Sequence, residues 1–374
     1  MAKRKVRVGI LFGGRSGEHE ISLMSARSVR RAIDTDKYDV TLIGITKDGK
    51  WIGGDDPLQA LESGMADAPE RVLLGDPRRR ALMQIDPQEG GNAVTLSSVA
   101  ELDVLFPVLH GTFGEDGTVQ GLFELADMAY VGAGVVGSAV GMDKGVFKRV
   151  MQAIGVPVLP FVTIRRSAFE RDPGGTLSEV EAVLAYPVFV KPANLGSSVG
   201  ISKANDVDEL VAALREAARW DRRIVVEQGI DAREIEVSVL GNDDPVASVA
   251  GEVVPQREFY DYEAKYVTDD SELLIPAPIS AAQLAELQAI AIRAYRAIDC
   301  GGMARVDFLL DRTSGELWLN ELNTLPGFTK ISMYPKLWEA SGLNYPDLID
   351  RLIELALERK ADRDRTERSF EVPQ

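Results

Sequence analysis

The string VRVGILF (Val6–Phe12), running into Gly13-Gly14-Arg15-Ser16-Gly17, reads as a buried strand followed by a glycine turn. Its near-continuous apolar character is that of a strand covered on both faces of a parallel sheet. Behind the turn, Ile21, Met24, Val29 and Ile33 fall on one helical face. Strand, glycine turn and helix make an α/β opening. Working outward, YDVTLIGI (Tyr38–Ile45) and LDVLFPVL (Leu102–Leu109) are two further buried strands, the second ending in His110-Gly111. Between them, residues 53–100 are rich in Gly, Pro and Asp and read as an insertion carrying hairpins.

A second unit is expected from about Met142. Phe147, Val150, Met151 and Ile154 share a helical face there, Asp143 is a cap, and Gly155 and Pro157 are stop signals. YPVFVK (Tyr186–Lys191) and VGISK (Val199–Lys203) are strands flanking the loop from Pro192 to Ser198, followed by a helix over 208–219 and a strand over 223–228. Glu234–Leu240 alternates as a strand and opens a third unit, residues 255–278 read as a long ordered loop, and a helix over 282–298 precedes two alternating strands, Met303–Leu310 and Glu316–Leu322. The charged tail from Glu358 is expected to fray.

Composition narrows the function. The 374 residues suit two or three domains at about 150 residues each, and 45% hydrophobic with 27% charged residues describes a folded chain. A net charge of −16 argues against nucleic acid and anionic membranes as partners, so any phosphorylated ligand needs a local cationic pocket. Cys300, the one cysteine, has no internal disulfide partner. The interrupted apolar run after Met1–Lys5 does not fit a signal peptide, and the glycine-broken stretch 129–142 is too short to span a membrane. A cytoplasmic location is expected.

Several motifs carry chemistry. Gly132-Ala133-Gly134-Val135-Val136-Gly137 matches GxGxxG, but no acidic strand end follows about 20 residues later, so it reads as a glycine-rich connection. No Walker A string is present. The loop containing Gly196, Ser197 and Ser198, with Lys191 at the preceding strand end, offers amides, hydroxyls and a charge to phosphate, an ordinary turn being the alternative. Lys144 taken by itself reads as a solvated charge. Alternation puts Arg305 and Asp307 on one face and Glu321 and Asn323 on one face; a register pairing 307 with 321 also pairs 305 with 323, beside Met303 and Leu319. Two carboxylates and an amide suit Mg²⁺, against the alternative of a solvated strand face with a salt bridge. The only histidines, His19 and His110, each follow a strand end, where open α/β sheets bind ligands. Glu18 and Glu20 flank the first, and a carboxylate there also suits the helix dipole.

Together these strings resemble the D-alanine:D-alanine ligase family of the ATP-grasp superfamily. The matching residues are Gly13 to Ser22, His110-Gly111 with Gly114-Glu115-Asp116-Gly117, Met142-Asp143-Lys144, Lys191-Pro192 through Gly200, Phe259 through Tyr266, Arg305-Val306-Asp307, and Asn320 through Gly327. The resemblance implies an ATP-grasp α/β fold. An N-terminal parallel-sheet domain (1–141) would be joined by two α+β domains clasping ATP (142–230 and 231–357), with a flexible tail (358–374). It implies that two D-alanines are joined for peptidoglycan synthesis through an acyl phosphate, with ATP and two Mg²⁺ or Mn²⁺, by a homodimer. By the same resemblance Lys144, Lys191 and Lys265 neutralise phosphates together with Ser198, and Glu227, Ile230, Glu234 and Phe259 meet the nucleotide. Asp307, Glu321 and Asn323 bind metal. Glu18 holds the first ammonium, with Ser197 and Tyr266 closing a lid. His110 lies near the substrate, Arg305 and Gly327 form an oxyanion hole, and Ser332 takes the second carboxylate. Relatives making other carboxylate–amine bonds, a D-lactate depsipeptide, or a catalytically dead nucleotide-binding regulator are the competing readings.

Overall fold

The computed structural model describes residues 4–64, 68–88, 93–196, 198–255, 271–329 and 331–367. Strand β1 (Val6–Gly13) runs into helix α1 (His19–Ala32) through the turn read from the sequence. Gly13 has φ +89°, and a Cβ there would lie 2.1 Å from the Ile45 carbonyl, so only glycine fits. Strand β2 (Tyr38–Ile45) pairs parallel with β1, and β3 (Trp51–Ile52) lies antiparallel to β2. Helix α2 (Pro57–Ser63) is followed by strands β4 (Arg71–Leu73), β5 (Ala81–Pro87) and β6 (Val94–Glu101), which form a small antiparallel sheet. Strands β7 (Val104–Pro107) and β8 (Ala129–Tyr130) complete the first sheet in the order β3-β2-β1-β7-β8. Helices α3 (Thr118–Leu125) and α4 (Val135–Met142) follow their turns; Gly132–Gly137 lies between β8 and the start of α4, the glycine-rich connection expected.

Helix α5 (Lys144–Ala153) is capped by Asp143, whose carboxylate accepts the Val146 N–H at 2.9 Å. Strand β9 (Phe161–Arg165), helices α6 (Arg166–Arg171) and α7 (Pro173–Glu181), strands β10 (Val188–Pro192) and β11 (Ser202–Ala204), helix α8 (Val207–Trp220) and strand β12 (Arg223–Gln228) build an antiparallel sheet in the order β11-β10-β12-β9. Val190, Leu210, Leu214, Ile224 and Val226 are fully buried beneath it.

The third sheet comprises β13 (Ala232–Gly241), β14 (Val246–Pro255), β15 (Ser271–Leu274), β16 (Gly302–Asp311) and β17 (Leu317–Asn323), in the order β15-β14-β13-β16-β17. Helix α9 (Ala281–Ala297) packs its Leu287, Ala291 and Tyr295 against one face. Residues 271–274, expected within a loop, are a strand because they pair with Glu252–Pro255; residues 256–270 of that loop lie outside the described residues. Helices α10 (Met333–Ala340) and α11 (Tyr345–Arg363) close the chain.

Helix α11 corrects the expected boundary at 357/358. Its Leu348, Ile349, Leu352 and Ile353 belong to the core of the first sheet, and its last turns are held there. Arg359 stacks 4.5 Å from the Tyr130 ring centroid and donates to the Tyr130 and Gly132 carbonyls, while Arg363 donates to the Met128 carbonyl at 3.0 Å. The charge that suggested fraying is what docks the helix.

Candidate active site

A cavity of about 730 Å³ lies between the β10–β12 sheet and the β13–β17 sheet. Lys144, Lys191, Ser198, Glu227, Ile230 and Glu234, all singled out from the sequence, line it. Arg305, Asp307 and Glu321 line it as well. Cation and carboxylate sets that are far apart in the chain thus face the same space.

The β16–β17 hairpin has the expected register: Arg305 opposite Asn323 and Asp307 opposite Glu321. A bulge then intervenes, and Phe308 pairs with Leu319. Leu319 is consequently turned into the α9-side core with Phe308 and Leu322, not onto the polar face where strict alternation put it. Arg305 grips Asp307 bidentately, both N–O distances being 2.7 Å, and its Nε lies 3.0 Å from Glu236. Glu236, opposite Asp307 in the β13–β16 register, was not singled out from the sequence, because that pairing joins strands about 70 residues apart. Among the described residues, no group of three or more His, Cys, Asp or Glu is placed to hold an ion. Asp307, Glu321 and Asn323 nonetheless provide two carboxylates and an amide on neighbouring positions, a donor set that fits Mg²⁺ once phosphates and water complete its shell.

Lys144 is not the solvated charge that its position alone suggested. Its ammonium donates to the Leu195 carbonyl at 2.7 Å and lies 3.7 Å from Glu321. On the next helical turn, Lys148 is buried and pairs with Glu227, which also pairs with Lys191. Burial drives the Lys148 pKa down against the pull of Glu227. Lys191 meets the same burial penalty, but Glu227, Glu321 and Glu234 outweigh it and raise its pKa. Burial opposes ionisation of Glu227 as well, yet the two ammoniums hold its carboxyl below the usual range. Glu227 is thus held between two ammoniums at the cavity wall.

Glu18, at the start of α1, is buried between two glycines: a Cβ on Gly111 would come within 2.5 Å of its Oε2, and one on Gly196 within 2.9 Å. The loop from β10 and the His110-Gly111 turn thus both reach the Glu18 carboxylate. His110 is itself buried, with its pKa lowered by burial. Its Nδ1 lies 3.1 Å from the Leu325 carbonyl, which can only accept, so Nε2 is the acceptor and the Ser25 hydroxyl donates to it at 2.9 Å. Ser25 Oγ in turn accepts the Phe328 N–H at 3.3 Å. Gly327 sits inside this clamp, where its Cβ position would be 3.0 Å from Ser332 Oγ, so the predicted Gly327 and Ser332 are neighbours. His19 Nδ1 is 2.9 Å from the Gly14 carbonyl, a local contact within the turn. Glu115, packed 3.4 Å from His110 Nδ1, has its carboxyl pushed up to about 8 by burial. Ser197, Phe259, Lys265 and Tyr266 lie outside the described residues.

Comparison with known proteins decides the family. Residues 7–133 match the family described as "D-ala D-ala ligase N-terminus", and residues 150–354 match "D-ala D-ala ligase C-terminus". The chain belongs to the D-alanine–D-alanine ligase family. It is 53% identical over 362 residues to the D-alanine–D-alanine ligase of Heliobacterium modesticaldum, covering 96% of this chain and 97% of that protein. It is 46% identical to the ligase of the same description from Natranaerobius thermophilus, covering 98% and 99%. Among solved structures, the D-alanine–D-alanine ligase from Coxiella burnetii superposes with a TM-score of 0.78 at 36% identity, covering 96% of this chain and 97% of that one. The VanG D-Ala:D-Ser ligase from Enterococcus faecalis gives 0.83 at 34%, covering 94% and 100%. The ATP-grasp architecture expected from the motifs is the one found. Enzymes of this family depend on ATP, and ATP-grasp enzymes use divalent cations. No described helix is long and apolar enough to cross a membrane.

The side chains that the sequence reading missed, Ser25, Glu115, Lys148 and Glu236, are all buried. Ser25, Lys148 and Glu236 reach their places through contacts distant in the chain, whereas Glu115 meets His110 five residues away. Lys148 had the one local signal: it stands four residues after Lys144, on the same helical face, inside an otherwise apolar pattern.

Proposed function

We propose that this protein joins two D-alanines into D-alanyl-D-alanine at the expense of ATP, as a cytoplasmic step supplying peptidoglycan precursors. The observation that carries the reading is the convergence of Lys144, Lys191, Arg305, Asp307 and Glu321 on one cavity in a chain of net charge −16. Its lysines and arginine offer positive charge at particular points to the phosphates of a nucleotide triphosphate, and Asp307 and Glu321 offer oxygens to divalent cations beside them. The carboxylate of the first D-alanine, its ammonium held by Glu18 with His110 close by, attacks the γ-phosphorus and ADP departs. The amine of the second D-alanine then attacks the acyl phosphate carbon, and phosphate leaves. Arg305 and the Gly327 N–H stabilise the tetrahedral oxyanion, and Ser332 takes the second carboxylate.

Lys144, Lys191, Lys265 and Ser198 hold phosphates in this scheme, while Ile230, Glu234, Phe259 and the strand carrying Glu227 cradle the nucleoside. Asp307, Glu321 and Asn323 would hold two Mg²⁺ (or Mn²⁺), whose chemistry would be to neutralise phosphate charge. Ser197 and Tyr266 tie the lid over Glu18 and keep water from the acyl phosphate. Two copies form a homodimer, which sedimentation would test. The deciding experiment is ADP release by purified protein with ATP, Mg²⁺ and D-alanine, with L-alanine, D-serine and D-lactate as comparison arms. Release with L-alanine equal to that with D-alanine, or a preference for D-serine or D-lactate as second substrate, would overturn the reading.

A further inference from the structure

Lys148 is 1% exposed and does not line the cavity, yet its ammonium pairs with one oxygen of Glu227 while Lys191, which does line the cavity, pairs with the other. A buried ion pair is a poor device for stability alone, since a well-packed apolar residue of similar volume often serves as well or better. The arrangement has a definite electrostatic result. One carboxylate beside one lysine would be a neutral pair; a second lysine makes the group singly positive.

We propose that Lys148 is a positioning residue whose charge offsets Glu227, so that Lys191 keeps its full positive field toward an anionic ligand in the cavity. Glu227 fixes where Lys191 points, and Lys148 removes the electrostatic penalty of that fixation. The inference rests on the reading that the cavity binds the phosphates of ATP. Because the side chain of Lys148 does not reach the cavity, its influence is on phosphate affinity, not on the chemical step.

Titration calorimetry with ADP and with adenosine as probes tests this on the full-length protein. Wild type comes first: if it binds neither probe, the nucleotide reading fails and not the role of Lys148. In Lys148→Met the group at Glu227 becomes neutral, and ADP binding is expected to weaken about ten- to a hundredfold, as loss of one nearby charge implies at a partly screened site. Adenosine, which lacks phosphate, should bind as in wild type. Lys148→Met combined with Glu227→Gln restores a single positive charge and should recover most of the ADP affinity. Equal weakening of both probes, no weakening of ADP, or a double variant no better than the single one would overturn the proposal. If Lys148→Met alone fails to fold, Lys148→Gln, which keeps a polar group beside Glu227, takes its place with the same two probes. ADP affinity should again fall about ten- to a hundredfold with adenosine unchanged, and an ADP affinity equal to that of wild type would sink the idea.

Discussion

Arg305 joins Asp307 to the cavity through a planar guanidinium, with two parallel bonds at 2.7 Å and a third carboxylate contact to Glu236 at 3.0 Å. An ammonium has the charge but not the fork. Arg305→Lys should therefore leave a folded protein whose kcat falls about 10²–10³-fold, the usual loss for one oxyanion donor; steady-state ADP release measures it, and near-wild-type turnover would remove Arg305 from that role. Glu115 makes a prediction of opposite kind. Its carboxyl is raised by burial from 4.5 to about 8, so the folded state binds a proton that the unfolded state releases. Its contribution to stability is then complete below about pH 4.5, declines as pH rises, and is fully lost above about pH 8. Glu115→Gln lacks this decline, and its urea midpoint should gain on wild type between pH 5 and pH 8; a difference that does not change with pH would place the proton elsewhere. Arg305 was legible in the sequence because Arg-x-Asp alternation marks a strand face. Glu115 was visible only as part of a motif, since its buried environment is made by His110 and residues from other sheets.

At the level of elements, the clamp around residues 325–328 links the N-terminal sheet to the turn after β17. The His110 Nδ1–H holds the Leu325 carbonyl, Ser25 holds the Phe328 N–H, and the Ser25 hydroxyl donates to His110 Nε2. Gly327, the proposed oxyanion donor, is fixed between the two anchor points. Ser25→Ala removes one anchor and leaves His110 Nε2 without its donor, which for buried groups costs about 1–3 kcal/mol. We expect kcat to drop about tenfold or more while the KM for ATP is unchanged, because the proposed nucleotide contacts lie in the other sheets. A rise in KM for ATP with kcat intact would show that the clamp serves the nucleotide instead. The hairpin of β16 and β17 shows where element-level reading succeeds and stops. Its register at 305–323 and 307–321 follows from period-two alternation and the turn at Ser314-Gly315. The bulge beside Asp307 and Glu321 does not, because an extra residue in one strand is chosen by packing of Phe308, Leu319 and Leu322 against α9.

Across the whole molecule, α11 straps the end of the chain to its beginning. Besides the Arg359 and Arg363 contacts to carbonyls of residues 128–132, Lys360 lies 3.3 Å from the buried Asp127. Ending the chain after Leu357 should cost about 2–5 kcal/mol of stability, from lost charged hydrogen bonds and a cation–π contact; a thermal midpoint equal to that of the full chain would show that the last turns contribute nothing. Local order determined much of this protein: the α/β opening at Val6–Phe12, the capped helix after Asp143, the alternating β16–β17 hairpin, and the motif strings that name the family. These are properties of neighbours in sequence, where side-chain period and backbone preference act within a few residues. What tertiary structure alone decided is which charges meet. Lys148 with Glu227, Arg305 with Glu236, His110 with Ser25 and Leu325, and Arg359 with Tyr130 are joined by packing of separate sheets and helices. A buried charge must find its partner wherever the folded chain brings one, and periodicity along the sequence contains no record of that distance.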